Sequence, residues 1–363
     1  MVAELPTSMR HALRFFDCFA GVGGFRLGLE RDGMKCVAWC EIDKYNQQTY
    51  RANFNITGEF FWPDATTLDT ETLPGFDVLV AGFPCQSFST SGHRLGFDDA
   101  RGTLFFDLVR ILRDRRPAAF LFENVQGLVF HDKGKTLSTI LSVLAADVNS
   151  QTNLLPSHDC LGYHVHWRVL NSKDFGVPQN RKRIFFVGFR DPPVRPFKFP
   201  EGEPLTVRLA DLLEKDAPEK YYLSERLVQS LAEHIANHKP KRGGKSTENW
   251  GDTIILETAQ RGANMRDSRL KRSDVARTID AAASEAVIEP EVLQANVQVK
   301  AQALLGGRPR RFTPRETARL QGFPNSFVLP CSDAQSYRQM GNAVTVSVVK
   351  AVGRQIAGAL LGS

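Results

Sequence analysis

Apolar and polar positions alternate along the first half of the chain in two rhythms. Short apolar runs at Leu13–Phe19, Cys36–Cys40, Asp77–Ala81, Ala118–Phe122, His164–Leu170 and Arg183–Phe189 read as strands. Between them, Phe25–Arg31, Lys44–Asn53, Gly102–Arg113 and Thr136–Asp147 carry helical spacing. Such alternation predicts an α/β sheet with helices on both faces. The rhythm breaks after Asp191-Pro192-Pro193, and residues from Val194 to Gly307 read as irregular, with clustered charges and a Gly243-Gly244 pair. It returns after Gly306-Gly307 with a helical signature at Pro314–Gln321 and an apolar closing helix, Val344–Leu361. We therefore expect residues 1–193 and 308–363 to complete one domain, with 194–307 inserted as a smaller one.

Composition narrows the class. The 363 residues, 42% hydrophobic and 24% charged, are those of a soluble protein with ample core material. No apolar run reaches ~18 residues, so no membrane span is expected. Met1 to Arg14 lacks the apolar core of a signal peptide. Six cysteines are scattered without a C-x-x-C pair or a zinc-type Cys/His cluster, which fits a reducing, cytoplasmic setting and predicts no metal. The net charge of +6 permits a polyanionic partner.

Two turns carry candidate chemistry. The first strand runs into Phe19-Ala20-Gly21-Val22-Gly23-Gly24, a glycine turn that lets a ligand approach the backbone and the following helix N-terminus. Glu41 ends the second strand 20 residues after Gly21, where an acid receives ribose hydroxyls in nucleotide-binding folds. No P-loop lysine pattern accompanies it, which argues against ATP and for an adenosyl ligand. The third strand opens into Gly82-Phe83-Pro84-Cys85-Gln86-Ser87, placing a thiol at the carboxyl end of a strand. A buried cysteine is as often a small core residue, so the thiol alone decides nothing.

Glu123-Asn124-Val125 follows the apolar run ending at Phe122. Glu123 reads either as a solvated capping acid or as a carboxyl converging with Cys85 on one cleft. A thiolate with a carboxylic proton donor suits attack on an electron-poor ring. Gln179-Asn180-Arg181-Lys182-Arg183 reads as a solvated basic turn or as a clamp for an anion or carbonyl.

Taken in order, these motifs resemble the cytosine-C5 DNA methyltransferase family of the bacterial restriction–modification type, across nearly the whole chain. The resemblance implies a Rossmann-like S-adenosylmethionine-dependent methyltransferase sheet and a separate target-recognition domain at 194–307. It makes Phe19, Gly21 and Gly23 part of the cofactor loop, Glu41 the ribose acid and Asp64 the acid near the adenine. Ile42 stands where the family often has a larger aromatic. Pro84-Cys85-Gln86 matches the nucleophile motif and Glu123-Asn124-Val125 the acid motif. Gln179-x-Arg181-x-Arg183 matches the arginine motif, and Arg315-Glu316-Thr317-Ala318-Arg319 the element that follows the variable region. Gln339-Met340-Gly341-Asn342-Ala343-Val344 is similar to the last cofactor-side motif, which adds Asn342. Thr278-Ile279 resembles a Thr-Leu pair in the recognition domain, and Ser91 a position that approaches DNA from the minor groove.

The implied reaction begins with Cys85 attacking C6 of a cytosine flipped out of the duplex. Glu123 stabilises the charge at N3, Arg183 contacts the base carbonyl and Arg181 positions the thiol side. Recognition falls to the insert, where nine lysines and arginines stand against five acids between His238 and Asp274. Arg261, Arg266, Arg269, Lys271 and Arg272 are the candidate DNA contacts, unless the stretch is simply a solvated basic loop. Double-stranded DNA is the expected partner of a monomer, with any cognate endonuclease acting separately. A tRNA cytosine-C5 methyltransferase built on the same motifs, and a non-catalytic DNA-binding protein on a retired fold, remain alternatives.

Overall fold

In the computed structural model the residues described are 12–83, 104–148, 160–225, 310–362 and four short strands between 254 and 288. The strands are β1 (Arg14–Cys18), β2 (Lys35–Cys40), β3 (Phe60–Trp62), β4 (Val78–Gly82), β5 (Ala119–Val125), β6 (Ala145–Val148), β7 (Tyr163–Asn171), β8 (Gln179–Asn180), β9 (Lys182–Phe189), β10 (Ile254–Glu257), β11 (Arg269–Arg272), β12 (Ala276–Arg277), β13 (Glu285–Ile288) and β14 (Arg310–Arg311). The helices are α1 (Gly24–Glu30), α2 (Lys44–Asn53), α3 (Leu104–Arg115), α4 (Lys135–Leu144), α5 (Pro314–Leu320), α6 (Asp333–Asn342) and α7 (Val346–Leu361).

Eight strands form one sheet in the order β3-β2-β1-β4-β5-β9-β7-β6. The pairs from β3 through β5 are parallel, and β9 runs antiparallel to both β5 and β7. The chain moves outward from β1 to β3 and then returns to the other side of β1 with β4. That reversal falls between β1 and β4, and open α/β sheets bind their ligands outside the carboxyl ends of the strands at such a switch point. The centre of the sheet is fully buried, through Phe16, Leu79, Phe120, Phe122, Ile184 and Phe186.

Two strands depart from the expected elements. Phe60–Trp62 is three residues long and half-buried, too short to show a period. The helix expected over Thr136–Asp147 ends at Leu144, because Ala145–Val148 instead pairs with Tyr163–Val165 at the sheet edge. Backbone pairing there overrides the helical spacing. The segment expected to be irregular also carries order: its four-residue strands β10, β11 and β13 join the two-residue β14, just beyond it, in an antiparallel sheet β11-β10-β13-β14.

The chain forms two compact units. One runs through Asn171, resumes over Lys182–Gly202 and closes with Ala343–Ser363; the other takes Ser172–Arg181 and Glu203–Asn342. The division differs from 194–307, since the second unit also claims Arg181 and helices α5 and α6. Hydrogen bonding explains why. Arg310 and Glu316, both fully buried, pair at 2.7 Å, and Arg310 also donates to the Glu214 carbonyl. Thr313 caps α5 through a reciprocal box with Glu316.

Within the first unit, α1 and α7 pack so closely that glycine is required. A Cβ at Gly28 would lie 2.7 Å from Val349 Cγ1, and one at Gly353 would lie 2.5 Å from Leu29 Cδ2. The stretch Asp333–Leu361 is long and apolar enough to cross a membrane by length and composition, which scanning for unbroken apolar runs does not reveal. Half of its most apolar window is buried, and Val346, Val349, Val352 and Ile356 are core residues.

Candidate active site

The carboxyl edge of β1 and β2 holds the glycine turn. Phe19 leaves the strand with φ of 55°, followed by Gly21 at 56° and Gly23 at 90°, all in the left-handed region. A Cβ at Gly21 would meet open space, whereas at Gly23 it would lie 2.2 Å from Phe54 Cε2. Gly23 is therefore fixed by both packing and conformation, and Gly21 by conformation alone.

Glu41 closes this turn. Its two carboxylate oxygens accept from the Gly21 N–H at 2.7 Å and the Asp43 N–H at 2.8 Å. Burial pushes its carboxyl above the ordinary range, against the lowering effect of those amides. The next residue, Ile42, is 69% exposed, an apolar side chain left open beside the turn. Asp64 caps a short 3-10 turn, its Oδ1 accepting from the Thr66 N–H and hydroxyl. The positive-φ cradle and the flanking acid fit an adenosyl ligand.

Sequence reasoning missed what lies behind the turn. Arg26 on α1 is nearly buried, bidentate to Glu59 at 2.7 and 2.8 Å, and stacked over the Phe54 ring at 4.6 Å. Nearby Asp17 is fully buried, so desolvation drives its carboxyl well up, and its Oδ2 accepts from the Tyr50 hydroxyl at 3.4 Å. This core locks α1 to α2, and no spacing in the sequence announces it.

Further along the same edge, Gly82 and Glu123 are register partners on β4 and β5. Glu123 therefore lies within the strand rather than after it, and it is buried. Arg183, near the start of β9, places Nε 3.0 Å from Glu123 Oε1. Asn124, 2% exposed, donates from Nδ2 to the Phe83 carbonyl at 2.8 Å. That bond anchors the chain where it leaves β4 towards Cys85, a role the motif alone did not disclose.

The other expected site residues fall elsewhere. Cys85, Ser91, Arg261, Arg266 and Thr278 lie outside the described residues, while Arg269, Lys271 and Arg272 form the edge strand β11. Arg181 belongs to the second unit, where it is 2% exposed and donates from Nη2 to the Gly341 carbonyl at 2.8 Å. Asn342 follows that carbonyl and ends α6. Among the described residues no group of three His, Cys, Asp or Glu side chains is placed to hold a metal.

Residues 13–358 match the family model for C-5 cytosine-specific DNA methylase. The chain belongs to that family. It is similar to the type II methyltransferase M.HpaII of Haemophilus parainfluenzae, with 41% identity over 97% of this chain and 91% of the relative. M.DsaV of Dactylococcopsis salina is 41% identical over 95% of this chain and 86% of its own length. M.HhaI of Haemophilus parahaemolyticus is 35% identical over 98% of both chains. Among solved structures, a Spodoptera frugiperda DNMT2 mutant shares the fold at a TM-score of 0.66 and 18% identity, covering 95% of this chain and 99% of that one. The protein is a DNA cytosine-C5 methyltransferase, and its family uses S-adenosylmethionine as methyl donor.

Proposed function

We propose that this methyltransferase acts on a flipped-out cytosine in duplex DNA through a covalent bond between Cys85 and C6, with Glu123 and Arg183 at the base. What carries the reading is the Glu123–Arg183 pair held in register with Gly82, three residues before Cys85 on the chain. The thiolate of Cys85 bonds to C6, and the ring electron pair moves to C5. Glu123 steadies N3 while Arg183, already fixed on Oε1, contacts the base carbonyl. S-adenosylmethionine supplies an electrophilic methyl group that C5 takes. The C5 proton then departs, the Sγ–C6 bond breaks, and aromaticity returns.

Phe19, Gly21, Gly23, Glu41, Ile42 and Asp64 are the proposed cofactor residues, to which the last motif adds Asn342, while Arg181 is proposed to position the thiol side. Residues 194–307 are proposed to read the target sequence. Ser91 and Thr278 approach the DNA, while Arg261, Arg266, Arg269, Lys271 and Arg272 contact bases and phosphates. The names of the similar proteins support a type II modification enzyme; that it acts as a monomer, with any cognate endonuclease acting separately, is part of the proposal. Bisulfite sequencing of DNA from a methylation-free host expressing the protein tests the reading. It should give one modified sequence context; an unmodified genome contradicts the activity.

A further inference from the structure

After delivering Glu123 to the sheet edge, the chain does not pass directly into a helix. It makes two tight 3-10 turns, Gln126–Val129 and His131–Gly134, before α4 begins at Lys135. Leu128 anchors this excursion in the core, fully buried. Two residues later Phe130 is 72% exposed, the aromatic among the large exposed apolar side chains of the described residues. Val125, at the start of the same excursion, is 41% exposed.

The turn is held in this shape at some strain. Asp132 and Lys133 take left-handed φ values of 45° and 54° without being glycine. The His131 ring Nδ1 sits 2.6 Å from the Thr136 hydroxyl, and the Phe130 N–H donates to the Gly127 carbonyl at 3.1 Å. Strained backbone persists where surrounding contacts over-determine it, often at ligand clamps. Here those contacts keep a large apolar ring in water, which does nothing for folding. Lys133 and Lys135 follow it three and five residues later and are exposed, and Lys135 is only 4.0 Å from Asp132, a loose surface pair.

We propose that the turn Val125–Lys135 is a contact surface for the DNA backbone beside the target cytosine. Phe130 packs against a sugar or base face, and Lys133 and Lys135 reach phosphates. The proposal rests on the assignment of Glu123 to the cytosine. A base held at Glu123 remains tied on both sides to its sugar-phosphate chain. The protein surface that follows Glu123 along the same edge is therefore met by DNA. An exposed aromatic face followed by exposed cations on one turn is the combination that grips nucleic acid without reading sequence.

The test uses the full-length protein, linear unmethylated plasmid DNA and variants Phe130→Ala, Phe130→Tyr and the double variant Lys133→Ala/Lys135→Ala. Duplex affinity is measured across a salt series, S-adenosylmethionine affinity by calorimetry, and methyl transfer for KM and kcat. Phe130→Ala should weaken duplex binding roughly tenfold, the loss expected for one aromatic–nucleic acid contact, with Phe130→Tyr restoring it. The double variant should lower the slope of log affinity against log salt by about two. Cofactor affinity should stay at the wild-type value. Unchanged duplex affinity and salt slope in both variants overturn the proposal, as does a loss confined to cofactor binding. A wild type that binds duplex through this turn yet transfers no methyl group would instead contradict the proposed activity.

Discussion

Arg183 Nε sits 3.0 Å from Glu123 Oε1, with 15% and 10% of the two side chains exposed. The guanidinium thus fixes one carboxylate oxygen of the proposed acid on a rigid sheet edge. If Glu123 works at N3, Glu123→Gln should lower the single-turnover methylation rate about 10²–10⁴-fold, the usual worth of general acid–base help. Duplex affinity should stay near wild type. A rate change below about threefold, far under that range, would make the carboxylate structural.

Asn124 gives a second prediction. Asn124→Asp keeps the shape but cannot donate to the Phe83 carbonyl, leaving a buried acceptor unmet. The expected destabilisation is about 1–3 kcal/mol. Single-turnover chemistry should slow while cofactor affinity holds, because the anchor governs the exit of β4 and not the glycine turn. Denaturant unfolding and rapid-quench kinetics separate the two effects.

Gly23, which precedes α1 as its cap, and Gly28 within the helix can be told apart. Gly23→Ala places a Cβ 2.2 Å from Phe54 at a φ of 90°, so it should distort the turn and abolish S-adenosylmethionine binding. Gly28→Ala collides with Val349 instead, at 2.7 Å. It should destabilise by about 1–3 kcal/mol as an overpacked core does, yet leave cofactor affinity of the folded protein intact. Calorimetric titration of both variants checks the contrast.

Glu41 predicts a pH dependence. Its carboxyl is raised by burial, so the folded protein takes up this proton at higher pH than the unfolded chain. That favours the fold below the ordinary carboxylate range, and the contribution is lost as pH rises through the raised value. Ribose hydroxyls require the ionised form. Cofactor affinity should therefore fall as pH drops, with a midpoint above the ordinary carboxylate range. Glu41→Gln should bind weakly at every pH and lack that dependence; a wild-type pH profile in the variant would remove Glu41 from the ribose.

Much of this arrangement is legible in the chain because its signals are local. Short apolar runs locate β1, β2, β4, β5 and β9, and the residues that end or follow them name the turn, the thiol and the acid. The Glu41–Gly21 bond spans 20 residues and the Asn124–Phe83 bond 41, so neither leaves a periodic trace. β3 is too short for a period, and β6 follows a helix without a break in apolar character. The buried Arg26–Glu59 contact looks in sequence like two ordinary surface charges. Only the packing of α1 on α2 shows that neither meets water freely.

The covalent step is tested most directly with duplex DNA carrying 5-fluorocytosine at the methylated position. With no proton to lose from C5, wild-type protein and S-adenosylmethionine should accumulate a denaturation-resistant adduct that peptide mapping places on Cys85. Cys85→Ser should form none while still binding S-adenosylmethionine. A wild type that methylates ordinary DNA but yields no adduct, or an adduct on another residue, contradicts the account.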